Sequence, residues 1–265
     1  MQDFAYHRPY TVASAVALRA AAPDGLYLAG GMTLIATLKQ RLASPSDLID
    51  LAALPEMAGI EARADRVVIG AMTRHADVAA SGVVARAIPA LAYLASRIGD
   101  AQVRNRGTLG GSVANSDPSA DYPAAVVGLG ATIQTDRRSI AADDYFRDLF
   151  ETALEPGELI RAIEFPIPSR AAYRKFPNPA SRYAVVGVFV ADFGGRVRVG
   201  VTGAGPCAYR AKSIEEALAR RLEPEAVDQA AIDYSRFNSD LHASAEYRGA
   251  LVRVMARRAV EDLLR

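Results

Sequence analysis

The chain has a single cysteine, Cys207, among 265 residues. One thiol excludes an internal disulfide, and with it any iron–sulfur cluster or zinc site held by several thiolates of this chain. Histidine is scarce too. His7, His75 and His242 are scattered, with no HxH or HExxH spacing, so a histidine-based metal site has no support. Neither sign of charge is in excess: 31 Lys and Arg face 30 Asp and Glu, a net charge of +1, which removes a global electrostatic case for nucleic acid or an anionic membrane. Long apolar runs are missing as well. Stretches such as AVVGVFVA at 184–191 fall far short of the roughly 20 residues that span a bilayer. The N-terminal MQDFAYHRPY has an acid and an aromatic where a signal peptide is basic and then apolar. These absences predict a soluble, cytoplasmic protein with no redox metal of its own.

The composition that remains is that of a globular chain, long enough for one large domain or two to three small ones. Tyr27–Ala29 reads as a short extended segment running into Gly30 and Gly31. Thr33 then stands as an N-cap before a helix, with Leu34, Leu38 and Leu42 on one face. LIDL (48–51) and RVVIG (66–70) read as strands, and Thr73 as the cap of a short helix. Residues 84–97 carry one amphipathic helical pattern. The following IGDAQVRNRGTLGGSVANSDPSADYPA has little helical periodicity and much Gly, Asn, Asp and Ser, so it reads as a long irregular, functional stretch. ELIRAIEFPIP (158–168) is strand-like, and from Ala172 the pattern is β-rich, with Gly194-Gly195 marking a hairpin. Three helices follow: SIEEALARRL, PEAVDQAAIDYS and a long one. The last places Tyr247, Leu251, Met255, Ala259 and Leu263 on one face, to pack on the hairpin. The class is α+β, with a boundary near residue 170.

Two glycine loops carry the chemistry. LAGGMT (28–33) and TLGGSVANSD (108–117) each set Gly-Gly beside small hydroxyls, namely Thr33 in one and Thr108 and Ser112 in the other. Glycine lets a ligand approach the backbone, and successive N–H groups at a turn or helix start form an anion nest. Two such loops converging suit a diphosphate. A lone Gly-Gly before a helix is most often only a tight turn. There is no GxxxxGK[ST] and no GxGxxG after a first strand, so neither a P-loop nor the Rossmann fingerprint applies. The residues alone indicate a nucleotide or dinucleotide binder.

QVRNRGTLGG followed by ANSDPSAD, taken with LAGGMTLIATLK, resembles the FAD-binding subunit of the molybdenum hydroxylases. That family includes carbon monoxide dehydrogenase medium subunits and the flavin domain of xanthine dehydrogenase. The resemblance runs the length of the chain, from FAYHRP through VIGAMT, GELIRAIEFP and AYRKF to DLHASAEYRGALVRVMARRAV. It implies a flavoprotein fold of the vanillyl-alcohol-oxidase type: two α/β subdomains, 1–57 and 58–170, with FAD between them, and a C-terminal domain, 171–265, of a three-stranded antiparallel sheet with helices.

By the same resemblance the first loop, Leu28, Ala29, Gly30, Gly31, Met32, Thr33, Leu34 and Ile35, wraps the pyrophosphate. Met32 departs from the polar residue of many relatives. Thr108, Gly110, Gly111 and Ser112 form the opposite wall with backbone and hydroxyl donors. Asp121 bonds a ribose or ribityl hydroxyl, the alternative being a helix N-cap before Pro123. Ile98, Ile160 and Lys175 match positions near the flavin, the alternatives being core for the isoleucines and surface for the lysine. Tyr183 falls near an aromatic that covers the ring in some relatives. Arg104 and Arg106 brace the loop or face a partner, and His75 and His242 read as polar surface or interface residues. VVGLGATIQTDRRS lacks the cysteine-bearing insertion that holds an extra [4Fe–4S] cluster in some relatives.

The function so implied is electron transfer. FAD here takes electrons from [2Fe–2S] clusters of a small partner, which draw them from a molybdenum cofactor in a large one, in a dimer of heterotrimers. The acceptor is a quinone, NAD⁺ or O₂, and no acid–base residue of this chain acts on the organic substrate. The alternatives are a self-contained flavin oxidase and a dinucleotide-binding module without redox activity.

Overall fold

A computed structural model describes residues 1–265. The N-terminal segment builds a parallel sheet of β1 (Ala5–His7), β2 (Leu26–Leu28) and β3 (Asp47–Asp50), in the order β1-β3-β2. Parallel neighbours need crossovers, and α1 (Val12–Ala21) and α2 (Leu34–Lys39) provide them. Thr11 opens α1 with a capping box closed by Ser14.

A second sheet follows, antiparallel throughout. It holds β4 (Ile60–Ala62), β5 (Arg66–Gly70), β6 (Thr132–Thr135) and β7 (Ser139–Ala141); β8 (Phe146–Asp148) and β9 (Glu151–Thr152) pair in a separate hairpin. The strand β10 (Ile160–Pro166) returns to the centre, giving the order β4-β5-β10-β6-β7. Between β5 and β6 lie α3 (His75–Ala80), α4 (Gly82–Ala87), α5 (Pro89–Ser96), α6 (Ala101–Arg106), α7 (Leu109–Asn115) and α8 (Tyr122–Leu129); a one-turn α9 (Ala142–Tyr145) follows β7.

This region corrects three sequence expectations. The helix expected over 84–97 is two helices, because Pro89 sits at the first turn of α5 and holds Ile88 out of the helical region at φ −142°, ψ 74°. The stretch expected to be irregular contains two short helices, α6 and α7, and the start of α8. Asp100 and Thr108 cap α6 and α7 with their side chains, and tertiary hydrogen bonds fix the rest where periodicity is weak. Thr73 is not a helix cap either: its hydroxyl accepts from Gly59 N and donates to Gly59 O.

The C-terminal sheet has four strands rather than three: β11 (Arg170–Pro177), β12 (Ala184–Asp192), β13 (Val197–Thr202) and β14 (Tyr209–Arg210), in that order. All nine residues of β12 are buried, because both faces are covered. Val186, Val188 and Val190 join a core with α10 (Lys212–Arg220) and α11 (Ala245–Leu263), while Phe189 and Ala191 join the core of the preceding region. The helix α8 is buried on every side for a related reason, since it lies against both β13 and β10. PEAVDQAAIDYS is helical only as a 3₁₀ segment, Pro224–Gln229. On α11 the expected stripe is buried except for Tyr247, which meets Phe176 edge-on. No helix is long and apolar enough to cross a membrane.

Candidate cofactor site

A cavity of about 460 Å³ lies where the parallel sheet faces the second one. Its first wall is the turn after β2. Gly31 has φ 74°, and Ala29 through Leu34 line the cavity. None of the backbone N–H groups from Ala29 to Leu34 has a backbone hydrogen-bond partner in the protein; the first to find one is Ile35, on Gly31 O. An unpaired run of amides is costly unless water or a ligand satisfies it, and pointing one way it attracts an anion. Thr33 supplies no cap bond; it is already helical at φ −91°, ψ −52°, so its side chain cannot fold back onto the first turn. Leu28 and Ile35 stand behind the wall and flank Gly31.

The second wall runs from Thr108 to Ser112. Its amides are not free donors, contrary to expectation. Leu109 N donates to Thr73 O at 3.0 Å, Gly110 N to Ala71 O at 2.8 Å and Ser112 N to Thr108 O at 3.0 Å; Gly111 N is capped by Thr108 Oγ1 at 3.2 Å. This wall offers hydroxyls and close approach. A Cβ on Gly30 would come 2.1 Å from Arg106 O, and one on Gly111 would come 3.6 Å from Ala29 Cβ. The two loops therefore converge, and at Gly30 only glycine allows it. Arg104 braces the turn before this wall, its Nη1 donating to Ile98 O at 2.9 Å.

At the start of α8, Asp121 reaches the cavity while 4% exposed. It makes no cap bond. Instead Tyr173 Oη donates to Oδ1 at 2.6 Å, and Lys175 Nζ sits 2.8 Å from the same oxygen and donates to Arg97 O at 2.9 Å. Burial pushes the Asp121 carboxyl up, and Lys175 pulls against it. Lys175 is thus neither surface nor in the cavity wall; it acts on the wall through Asp121. Ile98, Ile160 and Tyr183 all line the cavity, Ile160 buried and Tyr183 about half exposed.

Among the lining side chains that sequence reasoning missed are His75, Glu158 and Asp117. His75, expected at the surface, is 5% exposed; its Nδ1 has no partner, and burial with Arg104 nearby lowers its pKa to about 4. It is buried because His75 N is tied to Gly107 O at 2.9 Å, which turns the ring inward against Tyr122. Glu158 is held by Thr135 Oγ1 at 2.8 Å and Arg138 Nε at 3.0 Å, and Arg138 brings it down to about 2. Asp117 follows Ser116, the left-handed C-cap of α7 at φ 47°, ψ 40°. Only Asp117 had a local signal, its place in NSDPSAD; nothing near His75 or Glu158 in sequence marks a site.

The FAD binding domain in molybdopterin dehydrogenase matches residues 2–168, and the CO dehydrogenase flavoprotein C-terminal domain matches 171–263. The chain belongs to this FAD-binding family. It is 37% identical to the carbon monoxide dehydrogenase medium chain of Afipia carboxidovorans, over 98% of this chain and 96% of that one. It is 33% identical to the nicotine 6-hydroxylase medium subunit of Paenarthrobacter nicotinovorans, over 97% and 96%. A chain of the reconstituted CO dehydrogenase from Oligotropha carboxidovorans superposes with a TM-score of 0.91 at 36% identity, covering 99% of this chain and 98% of that one. The protein is an oxidoreductase subunit and its cofactor is FAD. The residues of the cavity fit that cofactor: a run of unpaired amides suits the diphosphate, and the largely apolar remainder suits the rings.

Proposed function

We infer that this flavoprotein subunit takes electrons from [2Fe–2S] clusters of a small partner and hands them to an external acceptor, while the organic substrate is oxidised at a molybdenum cofactor in a large partner. The unpaired amides of Ala29–Leu34 carry the cofactor part of this reading. Names such as medium chain and medium subunit among the relatives support the partners. The assembly is a dimer of heterotrimers in a cytoplasmic enzyme. Residues 1–57 and 58–170 hold the cofactor between them, and 171–265 closes the far side.

Bound FAD supplies a carrier that takes up and releases electrons. The chain's own residues bind and orient it. The amides from Ala29 to Leu34 face the diphosphate, joined by the hydroxyls of Thr108 and Ser112. Asp121, pinned by Tyr173 and Lys175, presents a fixed carboxylate to a hydroxyl of the cofactor. Ile98, Ile160 and Tyr183 shield the ring from water, and Lys175 brings positive charge to its neighbourhood.

Purification of the chain with its partners tests the reading. The complex is expected to contain iron and molybdenum, and substrate should bleach the flavin only when all subunits are present. Turnover of substrate by the isolated chain would favour a self-contained oxidase instead. Gly111→Asp places a carboxylate where an ideal Cβ already lies 2.9 Å from Thr108 Oγ1. It should abolish FAD retention, and stoichiometric FAD in that variant sinks the loop assignment.

A further inference from the structure

A second cavity, of about 230 Å³, adjoins the first. Asp117, Ser181 and Tyr183 line both; Ser119, Asn178 and His242 line the second alone. The two cavities differ in character. The first is largely apolar, whereas carboxylate, amide, hydroxyl, imidazole and guanidinium groups converge on the second.

Asp117 is the titratable group common to both besides Tyr183. Its Oδ1 accepts from Ser119 N at 2.8 Å, which leaves Oδ2 without a partner in the protein. The surrounding charges do not compensate it: Arg182, which lines the first cavity with it, makes no ion pair or hydrogen bond to it. Arg248, the basic group across the second cavity, is committed to Val185 O, Gly203 O and Asp240. His242 Nδ1 faces Asn178 Nδ2 at 3.3 Å, Asp240 and Asp121 are themselves acidic, and Lys175 is taken by Asp121. A half-buried carboxyl with no cation partner holds its proton more tightly than an exposed one. Burial accordingly pushes Asp117 above the ordinary carboxylate range, with no basic neighbour drawing it down.

Resting on the electron-transfer reading, we propose that Asp117 carries protons between solvent in the second cavity and the cofactor cleft. Electrons delivered by iron–sulfur clusters bring no protons, while full reduction of a flavin by two electrons takes up at least one proton. The Asp117 O–H bond breaks and its proton passes into the cleft. Water in the second cavity then reprotonates the carboxylate. When the acceptor removes the electrons, Asp117 first releases its proton outward, and the carboxylate then takes one from the cleft. Ser116 in the left-handed region turns the chain at the end of α7, and Asp117 after it lines both spaces.

The test uses the full chain loaded with FAD, reduced by flash photolysis with EDTA as electron donor, so no partner subunit enters the result. The absorbance phase reporting proton uptake is followed in H₂O and D₂O and scaled to bound flavin. In the wild type this phase should show a solvent isotope effect. Asp117→Asn should slow it by about 10²-fold, the lower end for a positioned proton donor. Asp117→Glu should restore most of the rate, and added formate should partly rescue the Asn variant by entering the second cavity. Ser119→Val narrows that cavity without touching the first and should also slow the phase, with FAD content unchanged. An unchanged rate in FAD-bearing Asp117→Asn overturns the proposal. If that variant holds no FAD, a wild-type rate in Ser119→Val overturns it. A complex lacking iron or molybdenum would instead defeat the electron-transfer reading and leave these rates as measured.

Discussion

Lys175 Nζ lies 2.8 Å from Asp121 Oδ1, and the two side chains are 3% and 4% exposed. The pair joins the C-terminal sheet, through β11, to the cavity wall at the start of α8. Tyr173, also on β11, bonds the same carboxylate. One acid therefore fastens the third sheet to the cofactor cleft, and its orientation is fixed by residues more than 50 positions away.

Removing either partner leaves a buried charge alone, which costs about 3–5 kcal/mol. Lys175→Met and Asp121→Asn should each lower stability in urea by that order and reduce FAD content. The double variant should lose clearly less than the sum of the two, because no orphaned charge remains. Simple additivity would show that the pair is not coupled.

Two glycines separate cofactor binding from folding. At Gly200 an added Cβ meets Ala124 O at 2.1 Å, where β13 presses on α8. Gly200→Ala should destabilise by about 1–3 kcal/mol through overpacking, seen as a lower melting temperature in both apo and FAD-loaded protein. Gly30→Ala meets Arg106 O at 2.1 Å, where the two loops touch beside the cofactor cavity. It should prise the loops apart, so FAD affinity measured by flavin fluorescence falls at least tenfold. Equal effects of both variants on FAD would refute this division.

His75 gives a pH dependence with a definite sign. Its pKa in the folded chain, about 4, lies below its ordinary 6.5, so the unfolded chain binds the proton more readily. The contribution of neutral His75 is complete above pH 6.5 and is lost as pH falls from there toward 4. The full difference is about 3 kcal/mol at 1.36 kcal/mol for each pH unit. Urea titrations of apo protein should show stability declining across that interval, and His75→Leu should flatten it. A slope unchanged by the substitution would place its origin elsewhere.

Several elements are legible along the chain because their causes are local. The strand RVVIG matches β5 residue for residue. The buried stripe of α11 repeats at helical spacing, and Gly194 and Gly195 form a hairpin turn with φ 72° and 102°. Asp121 and Lys175 each stood out in a motif, but Tyr173 and the pairing of the two did not, since ion pairing across 54 residues leaves no mark in periodicity. The short helices α6 and α7 were hidden for another reason. Glycine and polar residues suppress the helical pattern, and bonds such as Gly110 N to Ala71 O stabilise the turn from outside it.

The sequence by itself determined that the chain carries no multi-thiolate metal site, that two glycine loops are its chemical feature and that its texture changes near residue 170. Composition and short-range spacing suffice for such features. Tertiary structure decided which amides of those loops remain free: those of Ala29–Leu34 have no backbone partner, while those of Leu109–Ser112 are taken. It also turned His75 inward and set Asp117 between two cavities. Whether a donor is available depends on what the fold brings within hydrogen-bond distance of it, and a residue's type and its neighbours in sequence do not fix that distance.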